Sequence, residues 1–204
     1  MANVQNKHGA PGICTSSGDA LLRLFRATGE AAYLELLQET AHNLPQYMSR
    51  ADRPVHDWDG RALPEGWMCE RVNIGDWEGK DRVGGVFRCF CWCEVSNMLS
   101  HADLPGVYVQ PDTGLVVGLD HVAAWLESGE SGWEVDAPAK GMQKVLRIHN
   151  PTPYDANVKV FVENSWEMSV GWERARRHRF LRIEVAAGRT AGLPMPIDAR
   201  RKSE

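Results

Sequence analysis

Between residues 156 and 162 the chain reads "ANVKVFV", with Val158, Val160 and Val162 alternating with polar or facing neighbours. A period of two places one set of side chains on one face of a strand, so this stretch predicts a half-buried β-strand. The pattern recurs through the C-terminal half. "GVYVQPDTGLVVGLD" (106–120) holds two β runs around a turn built from Pro, Asp and Gly. "KVLRIHNPTPYDANVKVFVEN" (144–164) holds another pair of runs, with Val145, Leu146 and Ile148 before the turn residues. In "RFLRIEVAAGRTAGLPM" (179–195), Leu181, Ile183 and Val185 face one way before Gly188 turns the chain. "HVAAWLESGESGWEVDAPAKG" (121–141) reads as a link between these runs. Strand, turn and strand at regular spacing, with no helical period, predict an antiparallel β-sandwich over 106–204. The polar tail "IDARRKSE" reads as a frayed end.

The N-terminal half has a different period. "SSGDALLRLFRATGE" (16–30) places Leu21, Leu22, Leu24 and Phe25 on one side of a helix, with Ser16 or Ser17 as its cap and Gly29 as its stop. "EAAYLELLQETAHNLPQYMSR" (30–50) restarts at once, with Tyr33, Leu36, Leu37, Thr40, Ala41 and Leu44 as its apolar stripe. So short a break between amphipathic helices predicts an antiparallel helical hairpin. Residues 51–85 carry six glycines, two prolines and three tryptophans without any period. That composition predicts an ordered loop over a site. "VFRCFCWCEVSNMLSHADLP" (86–105) reads as a buried helix ended by Pro105 and Gly106. The fold class expected is therefore α+β: a helical region over 1–105, with a long loop at 51–85, followed by a β-sandwich domain.

Composition narrows the function. A net charge of −4 over 204 residues offers no electrostatic case for nucleic acid or an anionic membrane. No apolar run approaches the ~20 residues of a membrane span, and the first residues lack the apolar core of a secretory signal. Five cysteines, three of them crowded into 89–93, suit reduced thiols in a cytoplasm better than a disulfide framework. Cys69, Cys89, Cys91, Cys93, Glu70, Glu94 and His101 include every ligand type that zinc uses. A helix through 86–105 would put Cys89 and Cys93 on one face and turn Cys91 away. The thiols therefore read as small core side chains, and neither metal nor cofactor is expected.

The remaining chemistry lies in the loop. Glu70 and Asp76 sit beside Trp67 and Trp77, whose rings can raise a carboxyl pKa and stack on a sugar. His56 stands next to "DWD", which contains Trp58. The candidate catalytic set is Glu70, Asp76 and His56, and the candidate substrate platform is Trp58, Trp67 and Trp77. No phosphate-binding glycine motif and no Gly-x-Ser-x-Gly elbow occurs.

"TGEAAYLELLQETA" followed by a tryptophan-rich loop, a further helix and "VLRIHNPTPYDANVKVFVE" resembles the C-terminal end of the six-hairpin glycosidase superfamily. The resemblance implies helices of (α/α)6-toroid type, a terminal β-sandwich, and action on carbohydrate as a glycoside hydrolase or polysaccharide lyase. Some toroidal arabinofuranosidases hold zinc with a glutamate and cysteines. Their adjacent-cysteine pair is absent here, and no residue role is carried over. A toroid needs about six hairpins, and one hairpin plus one helix cannot cover its own apolar sides. The resemblance therefore implies the final portion or a subunit of a larger carbohydrate-active enzyme, associating with a chain that bears the missing helices. The alternative expectation is a non-catalytic glycan-binding or assembly module.

Overall fold

The computed structural model describes residues 2–3, 8–9, 18–43, 47–57, 59–67, 71–73, 86–87, 104–129, 143–172, 174–175 and 180–195. The chain is α+β and divides into two compact units. One comprises Met1–Leu22 and Ala31–Leu104; the other comprises Arg23–Glu30 and Pro105–Glu204.

In the first unit, four short antiparallel strands pair in chain order: β1 (Ala2–Asn3), β2 (His8–Gly9), β3 (Arg71–Asn73) and β4 (Val86–Phe87). Two expectations change here. The aperiodic stretch 51–85 contains β3, and the helix expected over 86–105 begins instead as strand β4. Stretches of two or three residues are too short for a period to announce them. Residues 88–103 of that expected helix, including Cys89, Cys91, Cys93, Glu94 and His101, lie outside the described residues. So do Leu44, Cys69 and the tail after Met195.

Two helices follow the first strands: α1 (Gly18–Thr28) and α2 (Ala31–Asn43). Gly29 separates them at φ +75°, where its N–H bonds the Phe25 carbonyl at 2.7 Å. This left-handed position ends the helix and suits a residue without Cβ. On α1 the buried residues are Leu22, Phe25 and Arg26, while Leu24 is 42% exposed. On α2 they are Leu34, Leu37 and Ala41, while Leu36 is half exposed. Both stripes are thus rotated from those expected, and an arginine completes the face of α1. The residues of α1 beyond Leu22 belong to the second unit and pack there. α2 belongs to the first unit.

The second unit is a two-sheet sandwich. One sheet has the order β10 (Phe180–Val185), β9 (Ala156–Val162), β5 (Val107–Gln110), β6 (Leu115–Gly118). The other has the order β11 (Thr190–Met195), β8 (Gln143–His149), β7 (Ala123–Gly129). Val107, Val109, Leu146, Ile148, Val158, Val160, Val185 and Met195 form the shared core. Each such side chain contributes about 1.5–3 kcal/mol by leaving water. Two features depart from expectation. β5 and β9 pair in parallel, Val107 opposite Val160, so the sandwich is not wholly antiparallel. The presumed link at 121–141 opens with β7, which pairs with β8 along its whole length. Residues Thr190–Met195 also form a strand, unremarked in the sequence because Pro194 interrupts it. β11 is an edge strand, where proline is tolerated. Buried Asn150 secures the crossing from β8 to β9, donating from Nδ2 to the Tyr154 and Val185 carbonyls and accepting from Thr152.

Candidate functional site

In and beside the loop singled out by sequence, two buried polar side chains bond the backbone of its turns. Asp57 is buried, and its Oδ1 accepts the N–H groups of Asp59 and Arg61 at 3.0 and 2.8 Å. Ser49 is buried, donates to the Leu63 carbonyl at 2.8 Å and accepts the Val55 N–H. Leu63 packs with Tyr47 and Val55 beneath. His56 is exposed and pairs through its backbone with Ala62 in an isolated bridge. Trp67 is 41% exposed. Of the expected site, His56 and Trp67 are the described members. Glu70, Asp76, Trp58 and Trp77 lie outside the described residues.

The two outer faces of the sandwich are built differently. Behind the four-stranded sheet, Phe25 meets Tyr108 edge-on at 5.7 Å, Tyr108 stacks on Phe161 at 5.8 Å, and Phe161 touches Trp172 and Phe180 at 5.6 and 5.0 Å. Arg26 lies over Phe161 and Trp172, 5.7 and 5.5 Å from their ring centres. Its Nε and Nη2 donate to both carboxylate oxygens of Glu163 at 2.9–3.1 Å, and Nη2 also donates to the Val170 carbonyl. Tyr108 donates its hydroxyl to Glu163 at 2.8 Å and accepts from Gln110 Nε2 at 2.8 Å. Burial, then the Glu163 charge, raises the Tyr108 pKa far above the ordinary phenol range. Phe25, Arg26, Tyr108, Gln110, Phe161, Glu163 and Trp172 are buried and Phe180 is partly buried, so this part of the face is closed.

The outer face of the three-stranded sheet is open. The period of two turns Ala124, Leu126, Leu146, Ile148, Ala191 and Leu193 inward, which turns Trp125, Glu127, Arg147, His149, Thr190 and Gly192 outward. Trp125 is 40% exposed, and its Nε1 donates to Glu127 Oε1 at 2.9 Å. The indole therefore leans along its strand over the residue two positions on, held by its polar edge with ring surface left in solvent. Arg147 stands directly opposite Trp125 and donates Nε to Glu127 Oε2 at 2.8 Å. These two hydrogen bonds, Arg147 first, hold the Glu127 carboxyl below its usual pKa. On β11, Gly192 lies opposite Arg147, and a Cβ there would come within 2.8 Å of Arg147 Nη1. The bare glycine leaves room for the guanidinium at the sheet surface. One row up, His149 Nδ1 lies 3.1 Å from Thr190 Oγ1.

A separate shallow groove of about 490 Å3 runs along Asp155–Asn157 and Glu184–Ala186. It brings two carboxylates together, but its lining has no aromatic ring, and Asp155 already accepts the Ala187 N–H at 2.9 Å.

None of the outward residues on the three-stranded sheet stood out in the sequence, although a signal was present. In "AAWLES" the small and aliphatic Ala124 and Leu126 alternate with Trp125 and Glu127. A tryptophan in the polar phase of a strand marks an exposed ring.

Comparison with protein-family models, with curated proteins and with solved structures found no match for this chain. These comparisons lend no support to the resemblance to six-hairpin glycosidases read from the sequence. No helix among the described residues is long and apolar enough to cross a membrane, and those residues include no cluster of three or more metal-ligating side chains.

Proposed function

We propose that the second unit is a carbohydrate-binding module whose contact surface is the open face of β7, β8 and β11. The observation that carries this reading is Trp125: a strand tryptophan pinned by its own Nε1 beside an acceptor–donor pair, Glu127 and Arg147. A pyranose has an apolar C–H face and a rim of hydroxyls. The first stacks on an indole, and the second matches alternating carboxylate and guanidinium groups. The platform is set before the ligand arrives, so little side-chain entropy is lost on binding.

Titration calorimetry of the full chain against neutral and acidic oligosaccharides tests the reading. Saturable binding that Trp125→Ala weakens about tenfold or more supports it. Binding that ignores Trp125→Ala, or no binding to any member of the panel, overturns it. The hydrolytic reading, with Glu70 and Asp76 as the carboxyl pair of a glycoside hydrolase, is a proposal about residues outside the described set. Polysaccharide turnover that falls about 100-fold in Glu70→Gln would favour it; unchanged turnover would remove Glu70.

A further inference from the structure

We infer that this face selects acidic sugars, hexuronates in particular, and that Arg147 is the residue that reads their carboxylate. The inference rests on the carbohydrate-binding reading above and adds the chemical class of the ligand.

The argument begins with what Arg147 leaves unused. Among the described residues, its one hydrogen bond is made through Nε, to Glu127. The Nη atoms form the opposite edge of the guanidinium, the edge that grips a carboxylate with two parallel hydrogen bonds. That edge lies toward β11, where residue 192 has no side chain to cover it. Glu127 anchors the guanidinium from one side and Gly192 frees it on the other.

Charge on the face points the same way. The Glu127 carboxylate is already engaged twice, by Trp125 Nε1 and Arg147 Nε. His149 is two residues from Arg147 on the middle strand and on the same face, about 7 Å away along the strand. Its cross-strand neighbours are Ala123 and Thr190, both short. The basic groups thus stand over a floor of Ala, Thr and Gly, and the indole is the one large ring beside them. A hexuronate seated on Trp125 carries a flat ring and an acidic substituent at its rim. Arg147, directly across the ladder from Trp125, is the cation within reach of that substituent. A neutral hexose would use the same ring and offer the Nη edge a hydroxyl in place of a charge.

The test compares oligogalacturonate and oligomannuronate with their methyl esters, which keep linkage and length and lose only the charge. The full chain is titrated with each. The expected result is binding of the acids at least about tenfold tighter than of the esters. Arg147→Gln abolishes that preference, because it costs the acids more than the esters. Gly192→Ala pushes the guanidinium end aside without removing its charge and reduces the preference by a smaller factor. Trp125→Ala weakens acids and esters alike. Equal affinity for acid and ester, unmoved by Arg147→Gln but lost in Trp125→Ala, overturns acidic selectivity and leaves the platform standing. Absence of binding to both, with neutral oligosaccharides also failing, overturns the platform itself. Circular dichroism confirms that each variant is folded. Arg147→Lys gives a second check, since it keeps the charge but loses the two-pronged geometry, and it should recover only part of the preference.

Discussion

The sandwich presents one outer face to a helix and the other to solvent, and both carry an arginine, a glutamate and an aromatic ring. Behind the four-stranded sheet, Arg26, Glu163 and Tyr108 are buried together. On the three-stranded sheet, Arg147 and Glu127 keep 40% and 45% of their side-chain surface exposed, beside a half-open Trp125. The residue types are alike but the consequences are opposite. Desolvated charges must find partners or the fold fails, so the closed face is committed to stability. Exposed charges cost little to leave in place, and they stay available to a ligand. Function is therefore expected where the same chemistry is left unfinished.

The sharpest way to break this contrast is to remove one partner on each side. Glu163→Ala strands the Arg26 guanidinium in a ring of aromatics and removes the acceptor of Tyr108. Loss of one member of a buried pair costs about 3–5 kcal/mol. Trp125→Ala on the open face should shift stability by no more than about 0.5 kcal/mol. Urea unfolding of the full chain measures both. The double variant Arg26→Met with Glu163→Leu should recover much of the loss, because apolar side chains of similar volume often match a buried ion pair. Equal costs for Glu163→Ala and Trp125→Ala would erase the distinction between the faces.

A smaller effect is expected at Tyr108. In Tyr108→Phe, Glu163 keeps Arg26, and Gln110 Nε2 keeps a contact to Met168 Sδ at 3.0 Å. The loss should be about 1–2 kcal/mol, the cost of hydrogen bonds removed without stranding a charge. The pH dependence carries the clearer signature. The folded Tyr108 holds its proton far beyond the ~10 of a free phenol. Its contribution is whole below that value and is lost as pH rises past it, because only the unfolded chain can release the proton. Alkaline titration by near-ultraviolet phenolate absorbance should show one of the four tyrosines ionising only as the chain unfolds. Tyr108→Phe should remove that step and push the alkaline unfolding limb upward. Ionisation of all four phenols before the chain unfolds would mean the face around Tyr108 is open after all.

Comparison of the two faces also explains what was legible in the sequence. Val158 and Val160 declared their strand because a half-buried strand repeats every two residues, and the "QPDTG" turn declared β5 and β6. The period could not say which strands pair, so the parallel contact of β5 with β9 was invisible. Arg26 was absent from the expected stripe because a charged residue reads as solvent-facing until its partner is known, and Glu163 is 137 positions away. Leu24 was misplaced by the converse error. β7 was missed because the glycines, proline and charges after Ser128 made the whole stretch look like a link. The open face went unnoticed for the same reason, since its residues lie on β7, β8 and β11 and meet only through sheet register. Residues near each other in sequence, such as the acids and tryptophans of 51–85, drew attention that spatial neighbours could not.

The least effect on stability, and the most informative one about the open face, is expected at Glu127. Its carboxyl is held below the usual range by Arg147 and then by the Trp125 indole. A depressed carboxylate contributes stability above its unfolded value of ~4.3, and that contribution disappears as pH falls through the lower folded value. The group is exposed, so solvent and salt screen this contribution and the melting temperature at neutral pH should barely move in Glu127→Ala. Binding should respond more than stability does. Without Glu127 the indole loses its anchor and the guanidinium its brace, so affinity for an acidic oligosaccharide should fall, though less than in Trp125→Ala. Glu127→Gln sharpens the point: its amide oxygen can still accept from the indole Nε1, so it separates the anchoring of the ring from the ion pair with Arg147. If Glu127→Ala instead lowers the melting temperature as far as Glu163→Ala, the open face bears structural load, and the division between a face that stabilises and a face that binds is lost.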